Sequence, residues 1–214
     1  LRTHGWVRFA PMSLEAWLAF CLFETVLSFT PGPAVLFVVS VALTRDARAG
    51  MAAALGILVT NALYFAISAT GVAALILASA RLFEALKWIG AGYLVWVGLR
   101  MLLSRSTTSE GPAPQRVQRA FLRGLVVQGV NPKALVFFVA LLPQFVDPTQ
   151  PVAWQMFVLG ASSVVIEFFV LALYVAFAVR ARRLAGAHLA GPLERVGGGF
   201  LVAAGARLAL LRNE

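Results

Sequence analysis

The sequence predicts an all-α integral membrane protein: six transmembrane helices built as a 3+3 inverted-topology repeat, with helices 1 and 4 broken. Three observations carry this. Only 13% of the residues are charged and 60% are hydrophobic, whereas soluble domains carry about 25% charged residues, so the chain lacks the charge to cover a water-facing surface. Six apolar stretches approach the roughly 20 residues that cross a bilayer as a helix. Finally, the chain repeats itself, with three segments of its first half recurring in the same order in its second.

The apolar stretches lie near residues 14–43, 52–78, 84–103, 121–145, 154–179 and 194–211. The first is long and contains Pro31-Gly32-Pro33, and the last is short and glycine-rich. The Pro/Ser/Thr-rich segment 104–119 separates two halves of similar size and reads as a flexible linker. Across it, PGPAVLFVV from Pro31 matches NPKALVFFV from Asn131, LGILVTNALYF from Leu55 matches LGASSVVIEFF from Leu159, and GAGYLVWVGLR from Gly90 matches GGGFLVAAGAR from Gly197. The organisation expected is therefore residues 1–11 as an upstream extension ahead of a plausible start at Met12, 12–103 as the first three-helix repeat, 104–119 as a cytoplasmic linker and 120–214 as the second repeat. Three spans per half is an odd number, so the second half enters the membrane with opposite orientation.

The net charge of +9 would suggest nucleic acid in a soluble protein. Here no basic stretch carries interleaved aromatics on a polar face, and the arginines flank the spans instead. The side holding Arg45, Arg48, Arg116, Arg119, Arg182 and Arg183 is the richer in positive charge. It is expected to be cytoplasmic, with both termini outside. Cys21 is the one cysteine, which excludes an internal disulfide, a Cys-His metal cluster and a two-cysteine redox carrier.

A Pro-Gly-Pro triplet inside a helix costs several kcal/mol, at roughly 3 per proline and 1 for the glycine. Its counterpart in span four is Asn131-Pro132-Lys133. Paired interruptions in an inverted repeat point to a midplane substrate site. A broken helix supplies free N–H groups where its second half starts and free C=O groups where its first half ends, and these attract anions and cations respectively. Three charges fall within spans, Glu24, Lys133 and Glu167, and an intramembrane charge is a functional hypothesis by default. Lys133 and Glu167 are expected to interact, or Lys133 to cap carbonyls freed by the break. Glu24 is the expected proton carrier. Asn61, Tyr64 and Gln128 are candidate cavity-lining groups. The expected substrate-binding set is Pro31, Gly32, Pro33, Asn61, Tyr64, Gln128, Asn131, Pro132, Lys133 and Glu167. No cofactor motif and no nucleophile–base constellation is present, so neither a cofactor nor an enzyme is expected.

These motifs resemble the lysine-exporter (LysE/RhtB) family of bacterial amino-acid exporters. The resemblance runs from Met12 onward and rests on TPGPAVLFV in span one, Ala54-Leu55-Gly56 opening span two, GAGYLVWVGLR in span three and, most specifically, NPKALVFFVALLPQFVDP from Asn131 to Pro148. It implies a six-span inner-membrane protein that exports an amino acid or a derivative, driven by the proton-motive force. Where many relatives carry a Gly-Asp-like pair followed by a histidine, this chain has Thr60, Asn61 and Tyr64. The partners implied are the amino-acid substrate, protons and the lipid bilayer, and no nucleic acid; oligomeric state stays open, a homodimer being one option. The alternative within the same superfamily is a divalent-cation exporter, which would need more acidic or histidine ligands than Glu24 and Glu167.

Overall fold

A computed structural model describes residues 12–70 and 113–185, together with isolated helical positions between 88 and 103 and between 192 and 206. Spans three and six and the first part of the linker otherwise lie outside the described residues. Among the described residues every regular element is helical and there is no strand.

Helix α1 (Leu14–Phe29) starts at Ser13, whose side chain accepts from the Ala16 N–H at 3.2 Å. It stops at Thr30, and α2 (Pro33–Thr44) begins after Gly32 with its axis turned by 52°. Pro33 is the first residue of α2, where its missing N–H costs nothing because the first N–H groups of a helix have no partner within it. Asp46 caps α3 (Ala47–Ala69), its carboxylate accepting from the Ala49 N–H at 2.8 Å. Next among the described elements, α4 (Ala113–Gly129) begins inside the stretch read as a linker, so residues 113–119 are helical where the composition suggests a flexible connection.

The second interruption repeats the device. α4 ends at Gly129, and α5 (Pro132–Val136) restarts with Pro132 in first position behind Asn131, whose side chain accepts from the Lys133 N–H at 3.1 Å. The chain continues through a π-helical turn (Phe137–Leu141) and a 3-10 turn (Leu142–Phe145). Helix α6 (Val152–Ala185) then returns. Before it, Asp147 accepts from both the Thr149 hydroxyl (2.6 Å) and the Thr149 N–H (2.8 Å), which hold its carboxyl below the usual carboxylate range. Gln155 clamps this loop to α6, accepting from the Asp147 N–H and donating to the Asp147 carbonyl.

By length and composition α3 and α6 can each cross a membrane, and the bent α1–α2 pair would make a third crossing if it is one span. Among the described elements, the helix most closely packed against α3 is α4. Gly56 and Gly124 explain the approach: a Cβ on Gly56 would sit 2.2 Å from the Phe121 carbonyl oxygen, and one on Gly124 2.2 Å from that of Ala53. Small residues at such a crossing let backbones touch without side chains between them.

Candidate functional site

The interruptions leave carbonyls without helical partners, and side chains from the other half of the chain cap them. Tyr174 on α6 donates its hydroxyl to the Phe29 carbonyl at 2.8 Å, and Tyr64 on α3 donates to the Gly129 carbonyl at 2.6 Å. Lys133, the second residue of α5, reaches across to the end of α1. Its ammonium donates to the Thr30 carbonyl at 2.8 Å and also to that of Leu27. A helix C-terminus carries partial negative charge, so a cation is stabilised there. Of the two expectations for Lys133, the capping one describes the structure. The expected Lys133–Glu167 pair does not form, because Lys133 is held by the α1 carbonyls while Glu167 is engaged by Asn61.

Glu167 Oε2 accepts from Asn61 Nδ2; Asn61 Oδ1 accepts from Gln128 Nε2 at 2.6 Å; Gln128 Oε1 accepts from Asn131 Nδ2 at 2.8 Å. Asn61, Gln128 and Asn131 are all buried. Buried amides without partners are costly, so this chain satisfies three of them together. Glu24 stands differently. It is 5% exposed, and its Oε1 accepts from the Ser163 hydroxyl at 2.8 Å. Its Oε2 is buried with no hydrogen-bond partner among the described residues. A buried carboxylate oxygen in that state calls for a proton or a cationic group.

These groups surround one cavity of about 40 Å³, lined on its polar side by Glu24, Gly32, Asn61, Gln128, Asn131, Lys133 and Glu167, and on its apolar side by Leu27, Phe137 and Phe138 among others. Ala34 and Val35 also line it; they belong to the first turn of α2, whose N–H groups lack helical acceptors. Seven of the residues expected from sequence thus meet in one place together with Glu24's partner Ser163. Pro31, Pro33, Pro132 and Tyr64 do not line the cavity. The prolines shape the backbone, with Pro31 exposed. Tyr64 caps Gly129 and packs edge-on against Phe138, ring centroids 5.0 Å apart. Sequence reasoning missed Ser163 and the two phenylalanines. Ser163 stands four residues before Glu167, one helical turn away on the same face, which is the signal that could have found it.

Two apolar clusters flank the polar layer, the aromatic one coming before the polar residues on α1 and α6 and after them on α3. Along α1 and α2, Phe20 precedes Glu24 and Ser28, and Val35 and Val38 follow. Along α3, Ile57 and Leu58 precede Asn61, and Phe65 follows. Along α6, Met156 and Leu159 precede Ser163 and Glu167, and Leu171 and Val175 follow. One cluster is aromatic, joining Phe20, Phe65 and Phe137 with Leu142, Met156 and Leu159; the other is largely alanine and valine. Among the described residues no group of three His, Cys, Asp or Glu could hold a metal ion, so the divalent-cation alternative gains no support.

Described residues that are helical throughout their regular elements, with membrane-compatible spans and a buried, charged cavity at two helix interruptions, have the form of a membrane translocator. The chain belongs to the LysE type translocator family, which it matches over residues 25–212. It is 31% identical over 209 residues to the homoserine/homoserine lactone efflux protein of Salmonella typhimurium, covering 94% of this chain and all of that one. It is 36% identical over 174 residues to an uncharacterized membrane protein of Vibrio cholerae, covering 80% and 85% of the two chains. The leucine efflux protein of Salmonella typhimurium is 32% identical over 142 residues, 64% of this chain and 67% of that one. No solved structure matches the chain. The family is thus one of translocators, and two of these relatives are named as efflux proteins.

Proposed function

We propose that the protein is a secondary exporter that moves an amino acid or amino-acid derivative out across the bacterial inner membrane, driven by the proton-motive force, through a 3+3 inverted repeat whose first and fourth spans are broken at the substrate site. The observation that carries this reading is the cavity between the interruptions, which offers complementary groups for both ends of an amino acid. The substrate carboxylate takes the free N–H groups of Ala34 and Val35 and the ammonium of Lys133. The substrate ammonium takes Glu24 Oε2, the buried acceptor with no partner of its own among the described residues. Glu24 rather than Glu167 is therefore the ammonium acceptor, since Glu167 is already engaged by Asn61.

A cavity of about 40 Å³ has room for roughly three to four waters, each needing about 10–15 Å³ by this measure. An amino acid is larger, so the cavity must widen to take one, by movement of the aromatic and alanine–valine clusters that flank it. Leu27, Phe137 and Phe138 give the substrate side chain apolar walls. A neutral side chain suits them better than a charged one. The relatives that export homoserine or its lactone, and leucine, are consistent with that class.

The test is a substrate screen. The protein is overproduced in a bacterial host lacking its own amino-acid exporters, and growth is measured against inhibitory concentrations of each amino acid. The reading expects resistance to one or a few neutral amino acids with lower intracellular content. Unchanged sensitivity to every amino acid, with the protein present in the membrane, would overturn it.

A further inference from the structure

We propose that Glu167, Asn61, Gln128 and Asn131 form a polarity relay, in which the charge on Glu167 and the cap at the start of α5 sustain one another. This rests on the transporter reading above and adds to it the element that links a proton to movement of the broken helix.

The four side chains are joined end to end, and the far end closes on backbone: Lys133 N donates to Asn131 Oδ1 at 3.1 Å. The direction of every bond follows from the two ends. An ionised carboxylate only accepts and a backbone N–H only donates. Each amide between them must therefore turn its NH2 toward Glu167 and its oxygen toward Lys133. All three amides are buried, so none can turn alone without leaving donors facing donors and acceptors facing acceptors.

The consequence runs both ways, as linkage requires. If α5 moves and the Lys133 N–H leaves Asn131, the far end no longer fixes the direction. Asn61 is then free to turn its oxygen to Glu167, which suits a protonated carboxyl that must donate. Conversely, protonation of Glu167 ends the charge-assisted bond from Asn61. A proton on Oε2 opposes donor to donor, and the mismatch passes through Gln128 and Asn131 to the cap. A proton on Oε1 leaves only a neutral, weaker bond. Either loosens α5 at Lys133, whose ammonium also ties α5 to the end of α1. Among the described residues, the charged groups facing Glu167 across the cavity are Glu24 from α1 and Lys133 from α5; the group contributed by α3 is the neutral Asn61. The π-helical turn that follows α5 is irregular backbone with alternative pairings available, a suitable place for such movement.

The test places a spin label at Val136, which is 51% exposed on α5, by Val136→Cys in a Cys21→Ser background, with the protein in lipid nanodiscs. Label mobility is followed against pH by electron paramagnetic resonance, and the Glu167 carboxyl by infrared difference spectra. The expected result is a mobility change that tracks Glu167 protonation, an amplitude at least ten-fold smaller in Glu167→Gln, and an equal loss in Gln128→Met although Glu167 still titrates there. A label that ignores pH in the parent protein, or a response that survives Glu167→Gln or Gln128→Met, would overturn the relay. Should Gln128→Met not fold, the near-isosteric Glu167→Gln decides the question alone. The label reports without any transported substrate, so a failed relay is distinguishable from a failed exporter, which amino-acid flux measures separately.

Discussion

Lys133 donates its ammonium to the Thr30 carbonyl at 2.8 Å, so a residue of the second interruption caps the helix that ends at the first. The bond spans the two halves of the chain and places a cation against the negative end of α1. Removing it leaves the Thr30 and Leu27 carbonyls without that donor. Lys133→Met is expected to lose about 1–3 kcal/mol, read as a lower unfolding midpoint in detergent. An unchanged midpoint would show that the cap contributes nothing to stability.

The crossing of α3 and α4 gives an expectation independent of transport. In Gly56→Ala the added methyl meets the Phe121 carbonyl oxygen, which is backbone and cannot swing aside. The helices must separate, at a cost of about 1–3 kcal/mol. Gly32→Ala differs, because its Cβ would lie 3.3 Å from Lys133 Cδ, part of a flexible side chain. Thermal unfolding should therefore rank Gly56→Ala well below Gly32→Ala, and equal midpoints would contradict this account of the crossing.

Much of this arrangement is legible in the sequence, for physical reasons that differ from place to place. Pro31, Pro33 and Pro132 announce the interruptions because no other residue so strongly opposes a continuing helix. The intramembrane charges of Glu24, Lys133 and Glu167 announce the cavity because the bilayer penalises them elsewhere. The partner of each charge is not legible. Lys133 and Glu167 lie on consecutive spans, yet Lys133 turns to α1 and Glu167 to α3. Which neighbour a side chain reaches depends on helix rotation and on the 52° bend, and neither is written in hydropathy. The bonding of Asn61 to Gln128 and Asn131 is hidden likewise, since Asn61 lies 67 residues from Gln128 and meets it only after packing.

Orientation in the membrane has its own test. The arginine-rich ends near Arg45 and Arg183 are expected to face the cytoplasm, and the loop around Pro148 the outside. Pro148 and Arg183 are both exposed. In a Cys21→Ser background, Pro148→Cys should react in intact cells with a membrane-impermeant thiol reagent, and Arg183→Cys only after the cells are opened. The reverse pattern would invert the topology.

The central claim is that the cavity between the two interruptions binds an amino acid, with Glu24 Oε2 receiving its ammonium. Counterflow of a labelled neutral amino acid into proteoliposomes tests this most directly, because exchange needs binding but no gradient. The account predicts saturable exchange by the unaltered protein and a half-saturation at least about ten-fold higher in Glu24→Gln, the loss of one charge-assisted hydrogen bond of roughly 1.5–3 kcal/mol. Exchange with undiminished affinity in Glu24→Gln would contradict it.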